Sequence, residues 1–277
     1  MKLPKIDYKE FSKTRNTIQL YAQLLSALKG KLVPHQKNWE EFSLKTYAKG
    51  FTTGPIPIET DNGIEALDLN INFIEHKLKL FFGSKRDEID LHQNNIADFT
   101  NLFLEKTSSY GIEDFKPEEK FFSEDELIYD EAEVKKLWNT FRQIYFLLLE
   151  FRGSTLYETS SINFWAHHSD MALLVFSGKI IESKDPQDWD NSREQMNFGF
   201  SSGDEGVGQP YFYITAYPFD EKLFETDLPG FARWQKEGWK GVVIEFDQLH
   251  NHSVTNDELL SLFKNLLQQN YQQKKGT

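Results

Sequence analysis

The sequence predicts an α+β fold, mainly antiparallel sheet packed with about four long helices. Apolar residues recur at helical spacing in four stretches, near residues 12–29, 95–110, 130–153 and 255–267. Runs of two-residue alternation lie between them, bounded by clusters of Gly, Pro, Asn and Asp. Aromatic residues make up 15% of the chain, with 24 Phe, enough to fill a large core.

The first helix is expected from Ser12 to Lys29, with Ile18, Tyr21, Leu25 and Leu28 on one face and Gly30 placed to end it. Phe42, Leu44, Thr46 and Ala48 then alternate with Ser43, Lys45, Tyr47 and Lys49, a half-buried strand. The stretch GFTTGPIP, Gly50 to Pro57, holds two glycines and two prolines and predicts a loop. Asp61-Asn62-Gly63 predicts a turn, and Ile64 to Asn72 and Phe73 to Phe82 predict strands. Alternation in the second of these puts His76 with Ile74, Leu78, Leu80 and Phe82 on the apolar face.

A helix from Asn95 to Tyr110 follows, capped by Asn94 or Asn95 and stopped at Gly111, with Ile96, Phe99, Leu102 and Phe103 inward. The acidic segment 112–129 predicts a solvated connector. The helix that begins at Asp130 is apolar on nearly all sides over Ile144 to Leu149, which predicts burial on several sides before Gly153 stops it. Arg142 and Arg152 lie in or just after that apolar stretch, where an unpaired guanidinium is costly, so each needs a partner or an anion.

Ser160 to Lys179, SSINFWAHHSDMALLVFSGK, interleaves aromatic, ionisable and apolar residues. Alternation puts Phe164, Ala166, His168 and Asp170 on one face and turns His167 away from His168, making His168 and Asp170 the pair able to cooperate. Strands are expected at Asp170–Ser177, through Met196, Phe198 and Phe200, at Tyr211–Tyr217 and at Val242–Phe246, with a hydrophilic loop at Lys179–Glu194 and a hairpin turn at Ser201–Pro210. The last helix opens on a capping box, Thr255 with Glu258, and a staple, Val254 with Leu259. Its inward face is Leu259, Leu260, Phe263, Leu266 and Leu267.

The chain reads as a single domain, 1–277, with an internal repeat. Arg15-Asn16-Thr17, Leu24-Leu25 and Lys29-Gly30 match Trp138-Asn139-Thr140, Leu147-Leu148 and Arg152-Gly153 at a constant offset. This gives helix-then-strands halves at 12–111 and 130–272, joined by 112–129, with a crevice between them as the natural ligand position.

Net charge is -12, against the basic surface that nucleic-acid binding requires. Cys is absent, so disulfides, thiolate nucleophiles and zinc–cysteine sites are excluded. No run approaches the ~18 apolar residues of a membrane span, and the N-terminus lacks the apolar core of a signal peptide. A cytoplasmic protein with no membrane and no nucleic-acid partner is the expectation.

SSGDEGVG fits neither a P-loop nor a dinucleotide fingerprint, since it falls between strands and carries Asp204 and Glu205. His76, His167, His168, Asp170, His250 and His252 are potential metal ligands, but their spacing matches no ligand set, so no metal is assigned. A GxSxG elbow is absent.

TRNTIQLYAQ, YAKGFTTGPIP, NFIEHKL, SINFWAHHSDMALLVFSGK and NFGFSSGDEGVGQPYFYITAYP occur in the order and spacing of a bacterial domain-of-unknown-function family, 5996, which the chain resembles from about Arg15 to Tyr271. Thr52, Thr53, Glu75, His76, Asp170, Ser177 and Gly178 match family positions. The resemblance implies small residues in place of His167 and His168, and a histidine at Asn163. It implies no activity, cofactor or oligomeric state.

The functional expectation is a small-molecule-binding protein, open to catalysis, with Trp165 and Tyr213 as walls and His76, His168, Asp170, Arg152, Thr52 and Thr53 as polar groups. The alternatives are a protein–protein interaction module and, third, a metal-dependent hydrolase.

Overall fold

A computed structural model describes residues 2–61 and 63–272. The first half contains α1 (Tyr8–Leu32), β1 (Ser43–Tyr47), β2 (Gly50–Thr52), β3 (Ile56–Thr60), β4 (Gly63–Asn72), β5 (Lys77–Phe82), β6 (Lys85–Asp90) and α2 (Ile96–Ser108). Next come α3 (Glu131–Ser154), β7 (Glu158–Thr159), β8 (Asn163–Trp165), β9 (Asp170–Ile180), the single turn α4 (Trp189–Ser192) and β10 (Arg193–Ser201). The chain continues through β11 (Tyr211–Tyr217), β12 (Arg233–Gln235), β13 (Gly241–Glu245), α5 (Phe246–Asn251) and α6 (Asn256–Gln272). Helices and antiparallel pairs account for the structure, so the fold is α+β. No helix among the described residues is long and apolar enough to cross a membrane.

The chain clusters into two compact units. The first is Pro4–Thr140 with Asn163–Ser169, and the second is built from Phe141–Ile162 and the chain from Asp170 on.

In the first unit the antiparallel order is β8-β1-β2-β4-β5-β6, with β3 added beside β4. Helix α1 starts at Asp7, whose carboxylate accepts the Lys9 amide. Ile18, Tyr21, Leu25 and Leu28 are buried, as their spacing predicts. Gly30 does not end this helix. It lies inside the last turn, and a Cβ there would stand 2.2 Å from the Phe42 ring, so the glycine serves a close packing contact. The stretch expected to be a loop, Gly50 to Pro57, contains β2 and the start of β3. Gly50 lets β2 approach β4, where a Cβ would lie 2.0 Å from the Ile71 carbonyl oxygen, and Pro57 is tolerated because β3 pairs on one side only. The following turn closes at Thr60 opposite Gly63, and its Asn62 lies outside the described residues.

The acidic segment is anchored rather than solvated. Phe115 and Phe121 are buried, and Leu127 donates its amide to the Asn94 carbonyl. Phe51 stacks on Phe164 at 4.0 Å and meets Trp138 edge-on at 6.0 Å, while Tyr21 stacks on Phe99 at 4.1 Å.

In the second unit the order is β12-β13-β11-β10-β9, with β7 also on β9. One sheet face carries Met171, Leu173, Val175, Met196, Phe198 and Phe200, all buried. Phe263 of α6 packs on it, with ring centroids 5.4 Å from Phe198, 5.9 Å from Phe212 and 5.4 Å from Phe151 of α3. The capping box forms as read: the Thr255 amide donates to the Glu258 carboxylate at 2.8 Å, and the Glu258 amide to the Thr255 hydroxyl at 3.2 Å. Helix α3 differs from expectation. Ile144, Leu147 and Leu148 are buried, but Phe146 and Leu149 are exposed, as are Arg142 and Arg152, so neither arginine is a buried charge.

Replacing Phe263 with Ala removes a fully enclosed ring with three ring neighbours and is expected to cost about 3–5 kcal/mol. Phe146→Ala, on the exposed face of α3, is expected to stay within about 0.5 kcal/mol of wild type. Chemical denaturation of both variants checks the pair.

Candidate functional site

On the opposite face of the second unit's sheet, polar groups are interspersed with apolar ones. Asp170, Ala172 and Leu174 of β9, Asn197, Gly199 and Ser201 of β10, and Tyr211, Tyr213 and Thr215 of β11 share this face by register. Leu174, Asn197, Tyr213 and Thr215 are half-buried, whereas Asp170, Ala172, Gly199, Ser201 and Tyr211 are buried, so the face is partly exposed along the Leu174–Asn197–Thr215 row and closed at Asp170.

Asp170 is buried, with 5% of its surface exposed, and the Tyr213 hydroxyl donates to its Oδ2. The approach crosses Gly199, which pairs with Tyr213 on β11 and with Ala172 on β9. A Cβ on Gly199 would lie 2.2 Å from the Tyr213 ring, so only glycine lets that ring lie across β10 and reach Asp170. The other carboxyl oxygen, Oδ1, is buried without a hydrogen-bond partner, as is Asn197 Oδ1.

Burial pushes the Asp170 carboxyl up to about 7, against the hydrogen bond from Tyr213, which pulls it down. Enclosure and then the neighbouring Asp170 raise the Tyr213 phenol well above the usual tyrosine range. The result is a carboxyl–phenol pair whose acidic member exchanges its proton near neutrality, the range in which general acid–base groups work. Beside it, the Tyr211 hydroxyl donates to Asp204 Oδ2 at 2.5 Å, and Asp204 Oδ1 accepts the Gly206 and Val207 amides, which fixes the glycine-rich hairpin.

Asp170 and Tyr213 are therefore brought together. Arg152, also in this unit, is exposed and donates from Nε to the Thr159 hydroxyl at 3.0 Å.

The first unit holds the other expected residues. Thr52 donates to Asp68 at 2.5 Å and accepts the Gly54 amide, while Thr53 accepts the Leu69 amide at 3.1 Å and donates to the Gly54 carbonyl. These bonds hold β2 to β4. His76 does not lie on the apolar strand face: it sits in the β4–β5 turn at φ 52°, so alternation does not set its direction. Its Nδ1 is 3.0 Å from the Tyr129 hydroxyl. Glu75, next to it, is exposed, and hydrogen bonds from Lys49 and Lys79 hold its carboxyl down at about 2.

Ala166 to Ser169 form a turn, with Ser169 at φ 50°, which interrupts the alternation on which the His168–Asp170 pairing rested. The His167 and His168 rings do not point apart but meet edge-on at 4.7 Å. Trp165 borders a groove of about 320 Å³ with Phe42, Phe121 and Ala27 as apolar walls and Ser26 and Lys120 among its polar groups.

One polar network escaped the sequence reading. Lys29 is 7% exposed and donates to the Ser43 and Glu40 carbonyls at 2.6 and 3.0 Å, and burial followed by the nearby Lys45 pulls its amine down to about 8. Its signal was present, since Lys29 continues the Tyr21, Leu25 and Leu28 stripe. Lys45 in turn donates to Asn163, the position where a histidine was expected.

The model of a family of unknown function, DUF5996, matches residues 3–275. The chain belongs to the DUF5996 family. No curated protein and no solved structure matches it. In this DUF5996 chain the carboxyl–phenol pair on the polar sheet face is thus the candidate site, on its geometry alone.

Folded Asp170 keeps its proton up to about pH 7, whereas the unfolded chain releases it near 3.8. Its contribution to stability is therefore largest below the lower value and is lost as pH rises to the upper one. Asp170→Asn is expected to flatten that slope and to gain stability relative to wild type above pH 7. Urea titrations at pH 5 and pH 8 test this; equal wild-type and variant slopes with pH would refute it.

Proposed function

We propose that this protein binds a small polar molecule on the polar, partly exposed face of the second unit's sheet, with the Asp170–Tyr213 pair as anchor and proton-exchanging group. The observation that supports this most is the buried Asp170 Oδ1, which lacks a partner while its sister oxygen is held by Tyr213. An unsatisfied buried carboxyl oxygen destabilises the chain on its own, and a ligand that donates a hydrogen bond to it offsets the cost. Asn197 Oδ1, on the neighbouring strand, is a second acceptor of the same kind.

Both unpartnered atoms are oxygens. Asn197 Oδ1 accepts a hydrogen bond, and Asp170 Oδ1 accepts one when ionised and donates one when it carries the proton, so the ligand class this favours presents an N–H or O–H donor beside a second donor or acceptor, as an amide, a urea or a nucleobase edge does. Half-buried Tyr213 and Leu174 supply apolar surface beside them. A carboxyl that titrates near neutrality makes acid–base chemistry on the bound molecule the matching activity.

Native mass spectrometry of the purified protein beside its denatured mass, followed by a thermal-shift screen of donor-bearing compounds, tests the reading. A retained organic mass, or a stabilising compound, that is lost in Asp170→Asn and Tyr213→Phe is the expected result. An apo mass with no compound distinguishing wild type from the two variants would overturn it.

A second reading, a protein-interaction module, is favoured by one observation. Trp39 and Phe42 of the first unit are 53% and 42% exposed, with ring centroids 6.5 Å apart.

A further inference from the structure

In the first unit, two imidazoles and a carboxylate from three distant parts of the chain converge. His76 occupies the turn before β5, His92 follows the end of β6, and Glu131 lies in the first turn of α3. The two histidine positions are held in register because Lys77 pairs with Asp90 and the Leu91 amide donates to the His76 carbonyl at 3.0 Å. The imidazole centroids are 5.7 Å apart. Glu131 reaches both: Oε1 is 3.2 Å from His92 Nε2, and Oε2 is 3.6 Å from His76 Nε2.

We infer that His76, His92 and Glu131 are the ligands of a divalent first-row transition ion of the zinc class. Zinc–nitrogen and zinc–oxygen bonds of about 2.0–2.2 Å place adjacent ligand atoms of a tetrahedral ion about 3.3–3.5 Å apart. Each imidazole has one Glu131 oxygen close to that spacing, Oε1 for His92 and Oε2 for His76. As placed, no group of three or more His, Asp or Glu side chains among the described residues closes around a common point. Glu131 directs a different oxygen to each ring, so an ion bound to all three requires its carboxylate to turn. Its side chain is 61% exposed and therefore free to rotate one oxygen toward the midpoint of the two Nε2 atoms.

The groups behind the rings match this role. A metal-bound imidazole usually donates its other ring N–H to a carboxylate or another oxygen, which sets the tautomer that leaves Nε2 free for the metal. His92 Nδ1 is 2.9 Å from Asp90 Oδ1, which also accepts the His92 backbone amide at 2.8 Å. His76 Nδ1 is 3.0 Å from the Tyr129 oxygen. Both rings thus have an oxygen on the Nδ1 side and their Nε2 atoms toward the same carboxylate. His76 holds this orientation from a left-handed backbone, a conformation that non-glycine residues keep where the surroundings require it. Two imidazoles and one carboxylate with exposed flanks leave further coordination positions for water, the arrangement of an open rather than a closed metal site.

The test is titration of the full-length protein, purified in chelator and exchanged into buffer, with zinc by calorimetry and with cobalt(II) by visible absorption. The inference expects one ion per chain and the visible bands of four- or five-coordinate cobalt. Binding should weaken at least 100-fold in His92→Ala and Glu131→Gln, fall about 10- to 100-fold in Asp90→Asn, and be unchanged in His252→Ala. Absence of stoichiometric binding, or bands that persist in His92→Ala, would overturn it. Circular dichroism of each variant separates loss of ligand from loss of fold, and Glu131→Asp, which keeps the carboxylate, is expected to retain measurable binding where Glu131→Gln does not.

Discussion

Ring-on-ring contact over one face of each sheet is the constraint from which the other features follow. In the second unit, Phe198 and Phe212 project from neighbouring strands and Phe263 and Phe151 fill the space above them. In the first, Phe51 is enclosed by Phe164, Phe73 and Trp138. Edge-to-face pairs add about 0.5–1.5 kcal/mol each beyond the area they bury. Because successive strand residues face opposite ways, a face given to apolar side chains and rings leaves its reverse for the polar groups. That reverse face in the second unit is where Asp170, Asn197, Ser201 and Tyr213 stand. The concentration of apolar surface on one side is what permits an unsatisfied carboxyl on the other.

Burial and hydrogen bonding act on two ionisable groups in opposite proportion. Lys29 has two backbone carbonyls within 3.0 Å of its amine, so its donors are used even as burial lowers its proton affinity. At Asp170 burial outweighs the hydrogen bonds from the Tyr213 hydroxyl and its own backbone, and Oδ1 keeps no close partner. Satisfied polar groups of the first kind tie loops to helices: Lys29 fastens residues 40–43 to α1. A half-satisfied group of the second kind does no comparable structural service, which is why it points to a ligand.

What was legible in the sequence follows from the range of the interaction concerned. The α6 capping box spans three residues, and its hydrogen bonds form as read because both partners lie within one turn. The buried faces of α1 and α6 were visible in their spacing. Gly30 was misread because a helix-ending glycine and a glycine beneath a ring look alike until Phe42 is placed. Gly50 and Pro57 signalled a loop, but their actual roles, close strand approach and edge position, depend on β4. His168 and Asp170 were paired by an alternation that a left-handed Ser169 breaks. Asp170 with Tyr213, and His76 with His92 and Glu131, are tertiary juxtapositions, across 43 residues in the first case and through two separate loop closures in the second. No local rule reaches that far.

Local rules fail at particular places, and their distribution carries information of its own. Non-glycine residues with left-handed backbone are Asn38, Trp39, His76, Ser169 and Ser253 among the described residues. Such conformations cost of order 1 kcal/mol or more and persist only where surrounding contacts require them. At His76 the requirement is identifiable: the turn must deliver an imidazole toward Tyr129 and Glu131 rather than into the sheet. At Asn38 and Trp39, two consecutive residues adopt the conformation and leave an indole more than half exposed beside His35 and Phe42. In the first unit the left-handed backbone thus coincides at His76 with converging imidazoles and at Asn38–Trp39 with displayed aromatic surface, while at Ser169 it ends the strand alternation before Asp170.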